Sequence, residues 1–533
     1  MAESGETDWV SRFADEVISE ARRRAPGKPI VCASGLSPSG PIHLGNLREV
    51  MTPHLVADEI RRRGIDCVHL LSWDDYDRFR RVPAGVDPSW AEHIGKPLTS
   101  VPAPAGSKHS NWAEHFKAPM IAALKELGVE YHGISQTAQY TMGVYREQIL
   151  LAVRRRADID AVLSPHRSQQ VAGFFPYKPY CDLCERDLTR VTAYDDESTE
   201  LAYVCECGFG ETVRLAGHDH GKLVWKVDWP MRWAHEGVIF EPAGVDHHSP
   251  GSAWLAGGRI VSEVFGGRQP IGPMYAFVGI TGMAKMSSSK GDVPTPADAL
   301  EIMEAPVLRW LFARRKPAQS FKISFDQEIQ RLYDEWDALG RKVTEGQAQP
   351  AELAAYNRAV GTAAGPLPVT PHPIPYRTLA SVVDITTGHA EQTLRILHDL
   401  DGLTDLDAAR PRLDRAQRWV DEHVPAGQRT RVRERPDTEL LDSLGPGERD
   451  ALRLLADGLD DWSLDNLTAL VYGVPKAQAG LAPDAQPTPE LKVAQRAFFA
   501  LLYRLLVGRD TGPRLPTLLM AVGADRVRKL VGA

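Results

Sequence analysis

One short stretch of the chain constrains its fold more than any other feature. After a helix-patterned segment at 9–24, the apolar run "PIVCAS" (29–34) leads into the glycine-rich loop "GLSPSGPIHLGN" (35–46). An amphipathic segment, 46–64, and a second apolar run, "DCVHLLSWDD" (66–75), follow it. Strand, loop, helix and strand in this order predict a βαβ unit. The loop would then lie at the carboxyl end of a parallel strand, where open α/β sheets bind ligands.

The composition of the loop suits contact with a phosphate group. Gly40 and Gly45 lack a Cβ, so the backbone can approach a base or a phosphate closely. The helix that begins near Asn46 points free N–H groups and the positive end of its dipole at the same place. His43 and Asn46 can donate hydrogen bonds as charge develops on a phosphate oxygen. We therefore expect a nucleotide to bind here.

A second loop, far downstream, carries cations and hydroxyls. It follows the strand-like run "MYAFVGI" (274–280) and reads "VGITGMAKMSSSKGDVPTP" over 278–296. Lys285, three serines and Lys290 lie close together in it, and such groups bind triphosphates.

Four of the six cysteines lie within one short segment. Cys181 and Cys184 form a C-x-x-C knuckle, and Cys205 and Cys207 form a C-x-C knuckle. Four thiolates can hold Zn²⁺ tetrahedrally, which leaves no open position for chemistry and indicates a structural site. His218 and His220 are alternative ligands nearby. Cys32 and Cys67 lie in apolar runs and are interpreted as core residues.

Length and charge limit the class of protein. A chain of 533 residues exceeds one hydrophobic core, so several domains are expected. The net charge of -8 excludes a globally basic nucleic-acid binder, and the short basic runs at 154–156 and 314–316 are interpreted as solvated helix faces. The acidic start of the chain and the absence of a long apolar run predict a cytoplasmic protein without a membrane segment. Disulfides are not expected in that reducing compartment.

The two loops together resemble the paired signatures of class I aminoacyl-tRNA synthetases, usually written HIGH and KMSKS. The segments "SWDDYDRFRRVP", "YKPYC", "KVDWPMRW" and "FEPAGVDHHSPGSAW" look like the class I, archaeal-type lysyl-tRNA synthetases over about residues 20 to 330. Near the end, "LLYRLLVGRDTGPRL" is similar to the terminal helices of that family. The resemblance implies ATP-dependent activation of lysine with Mg²⁺ and transfer of the lysine to tRNA(Lys).

The resemblance assigns catalytic roles to His43, Asn46 and Lys285. Ser288 stands where many class I enzymes have a second lysine, and Lys290 is the candidate to replace its charge. The complete nucleotide site that it implies consists of Pro38, Ser39, Gly40, His43, Gly45, Asn46, Lys285, Met286, Ser287, Ser288, Ser289 and Lys290.

The resemblance also implies a site for the amino acid. Gly35 and Ser37 would lie near the α-amino group, and Asp228 would support the pocket. An ammonium group on an apolar stem favours aromatic walls. The walls would be Trp225, His247, Tyr275 and Phe277, although Trp225 and Phe277 are also compatible with a plain core role.

One departure from the family concerns a second metal site. Relatives often carry a further cluster within "VPAPAGSKHSNWAEHF", with acidic and cysteine ligands beside two histidines. Here His109 and His115 remain, while Ala103 and Lys108 occupy the corresponding ligand positions. Two histidines do not make a structural zinc site, so one zinc is expected.

The expected fold is α/β, with a Rossmann-type parallel sheet in the catalytic domain, a zinc-binding insertion and an α-helical C-terminal tRNA-binding domain. Residues 1–110 and 215–300 would form the two halves of the catalytic domain. Residues 111–214 would form the insertion, with the zinc module near 178–210. Helices of 301–365 would contact the tRNA stem or connect the domains, and 366–533, which begins with the proline-rich connector "PLPVTPHPIP", would bind the anticodon.

Other functions remain open at this stage. A small-molecule nucleotidyltransferase would not need the helical last third of the chain, and an inactive RNA-binding paralogue would not need His43 and Lys285. A glutamyl- or glutaminyl-type class I synthetase is the nearest rival. A housekeeping enzyme and a specialised second copy are both compatible with the sequence, and a monomer is favoured.

Overall fold

The computed structural model describes residues 8–166, 173–249, 251–281, 293–460, 462–486 and 488–532. It divides into two compact units. The first consists of Met1–Ser324 and Ala338–Pro368, and the second of Phe325–Asp337 and Val369–Ala533.

The first unit is organised around a parallel sheet. Smaller sheets accompany it. In chain order, the strands of the unit are β1 (Ile30–Leu36), β2 (Cys67–Trp73), β3 (His132–Ser135), β4 (Tyr177–Pro179), β5 (Thr189–Tyr194), β6 (Glu200–Cys205), β7 (Gly210–Arg214), β8 (Gly221–Leu223), β9 (Ala243–Gly244), β10 (Met274–Tyr275), β11 (Val278–Ile280), β12 (Phe321–Ile323), β13 (Gly361–Thr362) and β14 (Gly365–Pro366).

The helices of the first unit surround these strands. They are α1 (Trp9–Arg24), α2 (Leu47–Arg62), α3 (Trp112–Glu126), α4 (Gln136–Thr141), α5 (Arg146–Arg154), α6 (Arg156–Leu163), α7 (Trp225–Glu236), α8 (Ala253–Glu263), α9 (Pro296–Ile302) and α10 (Ala305–Ala313). After α11 (Glu328–Thr344), which crosses the unit boundary, α12 (Pro350–Val360) completes the set.

The predicted βαβ unit is confirmed. β1 and β2 pair in parallel, with Ile30 opposite Cys67, and α2 connects them. β3 joins the far side of β2, also in parallel. On the other side of β1, Phe240 bridges in parallel to Cys32 and to Ile271, and β9 and β10 continue these two segments as a parallel pair. β1 therefore has a neighbouring segment on each side, and the chain reverses its direction of progress across the sheet at β1.

Local chemistry explains these elements. α1 begins after Asp8, whose side chain accepts a hydrogen bond from Val10 N–H at 3.0 Å, and it ends in three arginines that suit the negative end of the helix dipole. β1 has the sequence IVCASGL and is mostly buried, as a central parallel strand requires.

The run at 274–280, expected as one strand, divides into β10 and β11. β11 pairs with β12, and Ala276 between them donates its N–H to Pro317 O at 2.9 Å.

A small antiparallel module carries the cysteines. β5, β6 and β7 form a three-stranded antiparallel sheet, and β4 pairs in antiparallel fashion with β8. β8 ends at Leu223, two residues before α7 begins at Trp225. The module thus leads directly into the helix that carries predicted pocket residues.

The described elements beyond α12 in the second unit are helices, with short 3-10 turns between some of them. They are α13 (Tyr376–Thr386), α14 (Ala390–Asp401), α15 (Arg412–His423), α16 (Thr438–Ser443), α17 (Pro446–Asp457), α18 (Leu464–Gln478), α19 (Pro489–Val507), α20 (Leu515–Val522) and α21 (Ala524–Val531). The rings of Tyr333 and Tyr376 stack at 4.2 Å between centroids, and buried Arg412 donates to Asp337 at 2.9 Å. Among the described helices none has the length and apolar composition needed to span a bilayer.

Candidate active site

The glycine-rich loop lies where the order of the parallel sheet changes direction. It leaves the carboxyl end of β1, between the neighbours of that strand, and enters α2. Doubly wound sheets bind their ligands at this position because the loops on the two sides diverge and leave a crevice.

His43 stands at the start of a 3-10 turn, Leu44–Asn46, that runs directly into α2. Its backbone is extended, and its side chain is half-buried. Desolvation lowers the pKa of His43, so the imidazole is neutral at pH 7. Nδ1 of the ring is buried and has no hydrogen-bond partner among the described residues. A neutral imidazole beside a helix N-terminus is suited to donating a hydrogen bond to a phosphate oxygen.

The segment that follows the second signature lies against the first signature loop. Lys285, Met286, Ser287, Ser288, Ser289 and Lys290 lie outside the described residues. Val293 is the next described residue, and the Leu44 N–H donates to Pro294 O at 2.8 Å. This hydrogen bond brings the end of the second signature segment to the residue that follows His43.

A pocket opens beside the loop at the ends of β1, β2, β9 and β10. Of the predicted amino-acid residues, Gly35, Trp225, His247 and Tyr275 line it. Ser37 is exposed and Phe277 is 46% exposed, and neither is among the lining residues. Asp228 is fully buried and hydrogen-bonds to Arg232, which does line the pocket. The structure thus brings together four of the seven predicted residues and places Asp228 behind them.

Aromatic rings form one wall of the pocket. Trp225 stacks on Trp229 at 5.2 Å between centroids, and His247 lies edge-on to Trp229 at 5.3 Å. The indole N–H groups of Trp229 and Trp233 donate to the two carboxylate oxygens of Glu241, at 3.0 and 2.7 Å. Glu241 therefore fixes the orientation of this wall, which can hold an apolar stem.

Four carboxyl side chains line the same pocket, and sequence reasoning had not identified any of them. They are Glu49, Asp74, Glu236 and Glu241. Glu49 lies in the first turn of α2, three residues after Asn46, and its carboxyl hydrogen-bonds to Tyr275. The sequence signal that could have indicated Glu49 is its position in the first turn of the helix that follows the glycine-rich loop. Glu241 follows Phe240 at the end of a parallel segment.

The carboxyl groups raise one another's pKa. Desolvation, together with the charges of Glu241 and Asp74, raises the pKa of Glu49 to about 8, although its hydrogen bond with Tyr275 opposes the shift. Desolvation raises the pKa of Glu241 to about 7, against the two indole hydrogen bonds, and raises the pKa of Glu236 to about 7. A cation placed among these groups would favour their charged forms.

Arg232 places a positive charge in this pocket, but its guanidinium is already hydrogen-bonded to other residues of the protein. Its guanidinium donates to Asp74 at 2.7 Å and to Ser72 at 3.0 Å, and it also pairs with Asp228. Burial would raise the pKa of Asp228, but the charges of Arg232 and Lys222 outweigh it and hold that pKa below its ordinary value. Among the described lining residues, the carboxyl groups therefore exceed the available cations.

The four predicted zinc ligands lie together. Sγ of Cys181 is 3.7 Å from Sγ of Cys207, and Sγ of Cys184 is 3.6 Å from Sγ of Cys205. Their four sulfur atoms all lie within 4.8 Å of one another. Zinc–sulfur bonds of about 2.3 Å in a tetrahedron separate sulfurs by about 3.8 Å, so this donor set fits Zn²⁺. Gly208, at φ 91°, supplies the left-handed backbone that turns the chain directly after Cys207.

The two histidines left at the position of the family's further cluster lie near each other. The ring centroids of His109 and His115 are 6.0 Å apart, and the Ser107 hydroxyl is 2.9 Å from Nδ1 of His115.

The fold is of the α/β class, with a glycine-rich loop at the carboxyl end of a central parallel strand and an acidic, aromatic pocket beside it. Comparison with known proteins then identifies the family. Residues 7–365 match the family described as tRNA synthetases class I (K). The chain therefore belongs to this class I lysine family.

Individual relatives agree over the full length. The chain is similar to a lysine–tRNA ligase of Streptomyces coelicolor, with 67% identity over 100% of this chain and 99% of the relative. It is 34% identical to the lysine–tRNA ligase of Thermococcus kodakarensis and 32% identical to that of Treponema pallidum. Each of these two alignments covers 98% of both chains.

Proposed function

We propose that this chain attaches lysine to tRNA(Lys) through a lysyl-adenylate, as an ATP-dependent lysine–tRNA ligase acting in the cytoplasm. The observation that carries the choice of amino acid is the excess of carboxyl groups in an aromatic pocket beside the first signature. Membership of the lysine family supports the same conclusion.

In the first step, a carboxylate oxygen of lysine attacks the α-phosphorus of ATP. A new oxygen–phosphorus bond forms as the bond to the bridging oxygen breaks, and pyrophosphate leaves. His43, Asn46 and the N-terminus of α2 would stabilise the charge that develops on the phosphate oxygens. Lys285 would do so from the second signature, with Lys290 the candidate for the charge missing at Ser288. Mg²⁺ bound to the triphosphate would neutralise its charge.

In the second step, a hydroxyl of the terminal ribose of the tRNA attacks the carbonyl carbon of the adenylate, and AMP leaves. Positioning and charge stabilisation would supply most of the acceleration in both steps. No residue of the chain needs to form a covalent bond to either substrate.

Selection of lysine would rest on charge. The ε-ammonium would lie near Glu49 and Tyr275, with its stem along Trp225 and His247 and its α-amino group near Gly35. A glutamate side chain in the same place would face four carboxyl groups, while the guanidinium of Arg232 is already paired with Asp74 and Asp228. An unpaired buried carboxylate costs several kcal/mol, so this pocket disfavours the glutamyl alternative.

The remaining parts of the chain would serve the tRNA. The cysteine cluster would hold one structural Zn²⁺ in the insertion. The second unit would bind the anticodon, and it contains a cavity of about 530 Å³ whose lining includes Arg377, Arg509, Arg514 and Trp419. Arginine and aromatic side chains bind unpaired RNA bases by stacking and hydrogen bonding.

ATP–pyrophosphate exchange measured with each of the twenty amino acids, with and without tRNA, tests the proposal. We expect exchange with lysine and none with glutamate or glutamine. Exchange that runs on glutamate, requires tRNA and ignores lysine would overturn the assignment. Exchange with no amino acid would instead identify an inactive paralogue.

The role of His43 has its own test. If its hydrogen bond forms mainly in the transition state, His43→Ala should lower kcat of adenylate formation by roughly 10²-fold or more, with KM for lysine nearly unchanged. His398→Ala, an exposed histidine of the second unit, is the matched control. A variant with full kcat and a raised KM for lysine would place His43 in the amino-acid pocket instead.

A further inference from the structure

A second cluster of metal-binding side chains lies beside the four cysteines and is not used by the proposed reaction. Ligand atoms of Asp182, His218 and His220 all lie within 4.8 Å of one another. Asp182 stands between Cys181 and Cys184 in the first knuckle, while the two histidines precede β8.

The pairing of two strands builds this cluster. β4 and β8 are antiparallel, with Pro179 opposite Gly221, and the Tyr180 N–H donates to His220 O at 3.1 Å. The turn after β4 carries Asp182, so this pairing brings it against the segment that carries the histidines. His218 is extended, which points side chains at positions 218 and 220 in the same direction.

Both imidazoles face the same carboxylate. Nδ1 of His220 is 2.6 Å from one oxygen of Asp182, and Nε2 of His218 is 3.5 Å from the other. Glu211, on β7, also hydrogen-bonds its carboxyl group to Asp182, which places a further oxygen donor beside the cluster. Two imidazoles and one carboxylate form a donor set that binds Zn²⁺ and similar divalent transition metals.

The orientation of His218 is the second observation that points to a ligand. Its side chain is only 10% exposed, and among the described residues its buried Nε2 makes only a long, 3.5 Å contact with the Asp182 carboxylate. The Tyr177 hydroxyl lies 3.3 Å from Nδ1 of this ring and 3.5 Å from the carbonyl oxygen of the same residue. When the hydroxyl donates to the carbonyl and accepts from Nδ1–H, the lone pair of Nε2 faces the Asp182 carboxylate, and a cation between the two would relieve their repulsion. Metal-binding histidines are held in this way by a partner on their other nitrogen.

We propose that Asp182, His218 and His220 form a second divalent-cation site, distinct from the four thiolates, for a borderline ion such as Zn²⁺ or Co²⁺. Bonds of about 2.0–2.2 Å to nitrogen and oxygen separate tetrahedral ligands by about 3.3 Å, so small side-chain shifts from the present spacing accommodate the ion. Three neutral or singly charged ligands hold an ion less tightly than four thiolates, so this site is the exchangeable one.

The ion would tie the first cysteine knuckle to β8. β8 leads directly into α7, which carries Trp225 of the amino-acid pocket, and Lys222 within β8 pairs with Asp77. A bound ion would therefore restrict the segment that positions one wall of the pocket. The inference does not depend on the proposed aminoacylation, because metal binding is measured without substrates.

Equilibrium dialysis of the full-length, zinc-loaded protein against Co²⁺ tests the proposal. We expect one Co²⁺ per chain to bind beside the retained zinc and to show the visible absorption of nitrogen and oxygen ligation, without sulfur-to-metal charge-transfer bands. Asp182→Asn and His220→Ala should each weaken this binding at least about tenfold while retaining the zinc of the cysteine cluster, which also reports correct folding. Tyr177→Phe, which keeps the ring and removes the hydroxyl, should weaken it about tenfold as well.

His398→Ala is the control and should bind Co²⁺ like the unaltered chain. The absence of a Co²⁺ equivalent up to about 1 mM free ion would overturn the proposal. Equal binding by the unaltered chain and by both His220→Ala and Asp182→Asn would do the same, because the ion would then lie elsewhere. Charge-transfer bands would show that Co²⁺ had replaced zinc on the thiolates, which also contradicts a separate site.

Discussion

The amino-acid pocket and the cysteine cluster both concentrate acidic side chains, but they obtain their counter-charge differently. In the pocket, Arg232 is part of the protein and pairs with Asp74 and Asp228, while Glu49 and Glu241 retain raised pKa values. In the cluster, four sulfur atoms lie within 4.8 Å of one another and could be neutralised by a metal ion from solution. The cluster thus fits one metal ion and leaves no open position, whereas the pocket is partly neutralised and would accommodate the cation of the proposed substrate.

The largest expected effect comes from removing the built-in cation of the pocket. Arg232→Met should lower the free energy of unfolding of the first unit by about 3–5 kcal/mol, because the buried carboxylates of Asp74 and Asp228 would lose the guanidinium that they share. Urea unfolding measures the change. Arg259→Ala, which breaks an exposed ion pair with Glu263 on α8, should cost less than about 1 kcal/mol. Similar losses for both variants would show that the buried network does not stabilise the first unit.

The next effect concerns Glu49, one of the four carboxyl groups that the sequence does not reveal. Glu49→Gln should raise KM for lysine about ten- to hundredfold, because a hydrogen bond to a charged group contributes about 1.5–3 kcal/mol. KM for ATP should remain nearly constant. Glu263→Gln, an exposed change on α8, should alter neither constant. An unchanged KM for lysine in Glu49→Gln would exclude this carboxylate from ammonium binding.

The pH dependence of lysine binding should be smaller. The ammonium group requires the charged form of Glu49, whose pKa is about 8, so below that pH the substrate must displace a proton. KM for lysine should therefore fall as pH rises, by roughly eightfold between pH 7 and pH 8.5, while the ammonium itself stays charged. Glu49→Gln should flatten this profile. A KM that rises over this interval would contradict the assignment.

The smallest effect on lysine activation should come from the cysteine cluster. Cys181→Ser should reduce the zinc that resists a weak chelator from one equivalent per chain to none, as elemental analysis would measure. Lysine-dependent exchange without tRNA should change by no more than about threefold, because sites that share no partners affect one another weakly. Cys67→Ala, which alters a thiol outside the cluster, should keep the zinc. Unchanged zinc in Cys181→Ser would rule out the four-thiolate site.

Features set by short sequence spacing were predicted well. α1 spans Trp9–Arg24, as its apolar period and terminal arginines indicated, and the predicted βαβ unit has parallel β1 and β2. The four cysteines converge because two knuckles and a short antiparallel module bring them together locally. By contrast, the run at 274–280 gave no sign that its two halves pair with different partners, since strand pairing depends on distant segments.

The sequence by itself determined the α/β class, the position of the first signature loop, the thiolate set and the resemblance to the lysine family. Each of these depends on residue types at short, regular spacings, which fix local backbone and ligand geometry. The tertiary structure alone decided that Glu49, Asp74 and Glu241 meet in one pocket and that Arg232 is already engaged there. It also excluded Phe277 from the lining of the pocket and placed Asp182 beside His218 and His220. These arrangements depend on which strands are neighbours in the folded sheets. The order of strands in a sheet cannot be read from how far apart the residues are in the sequence.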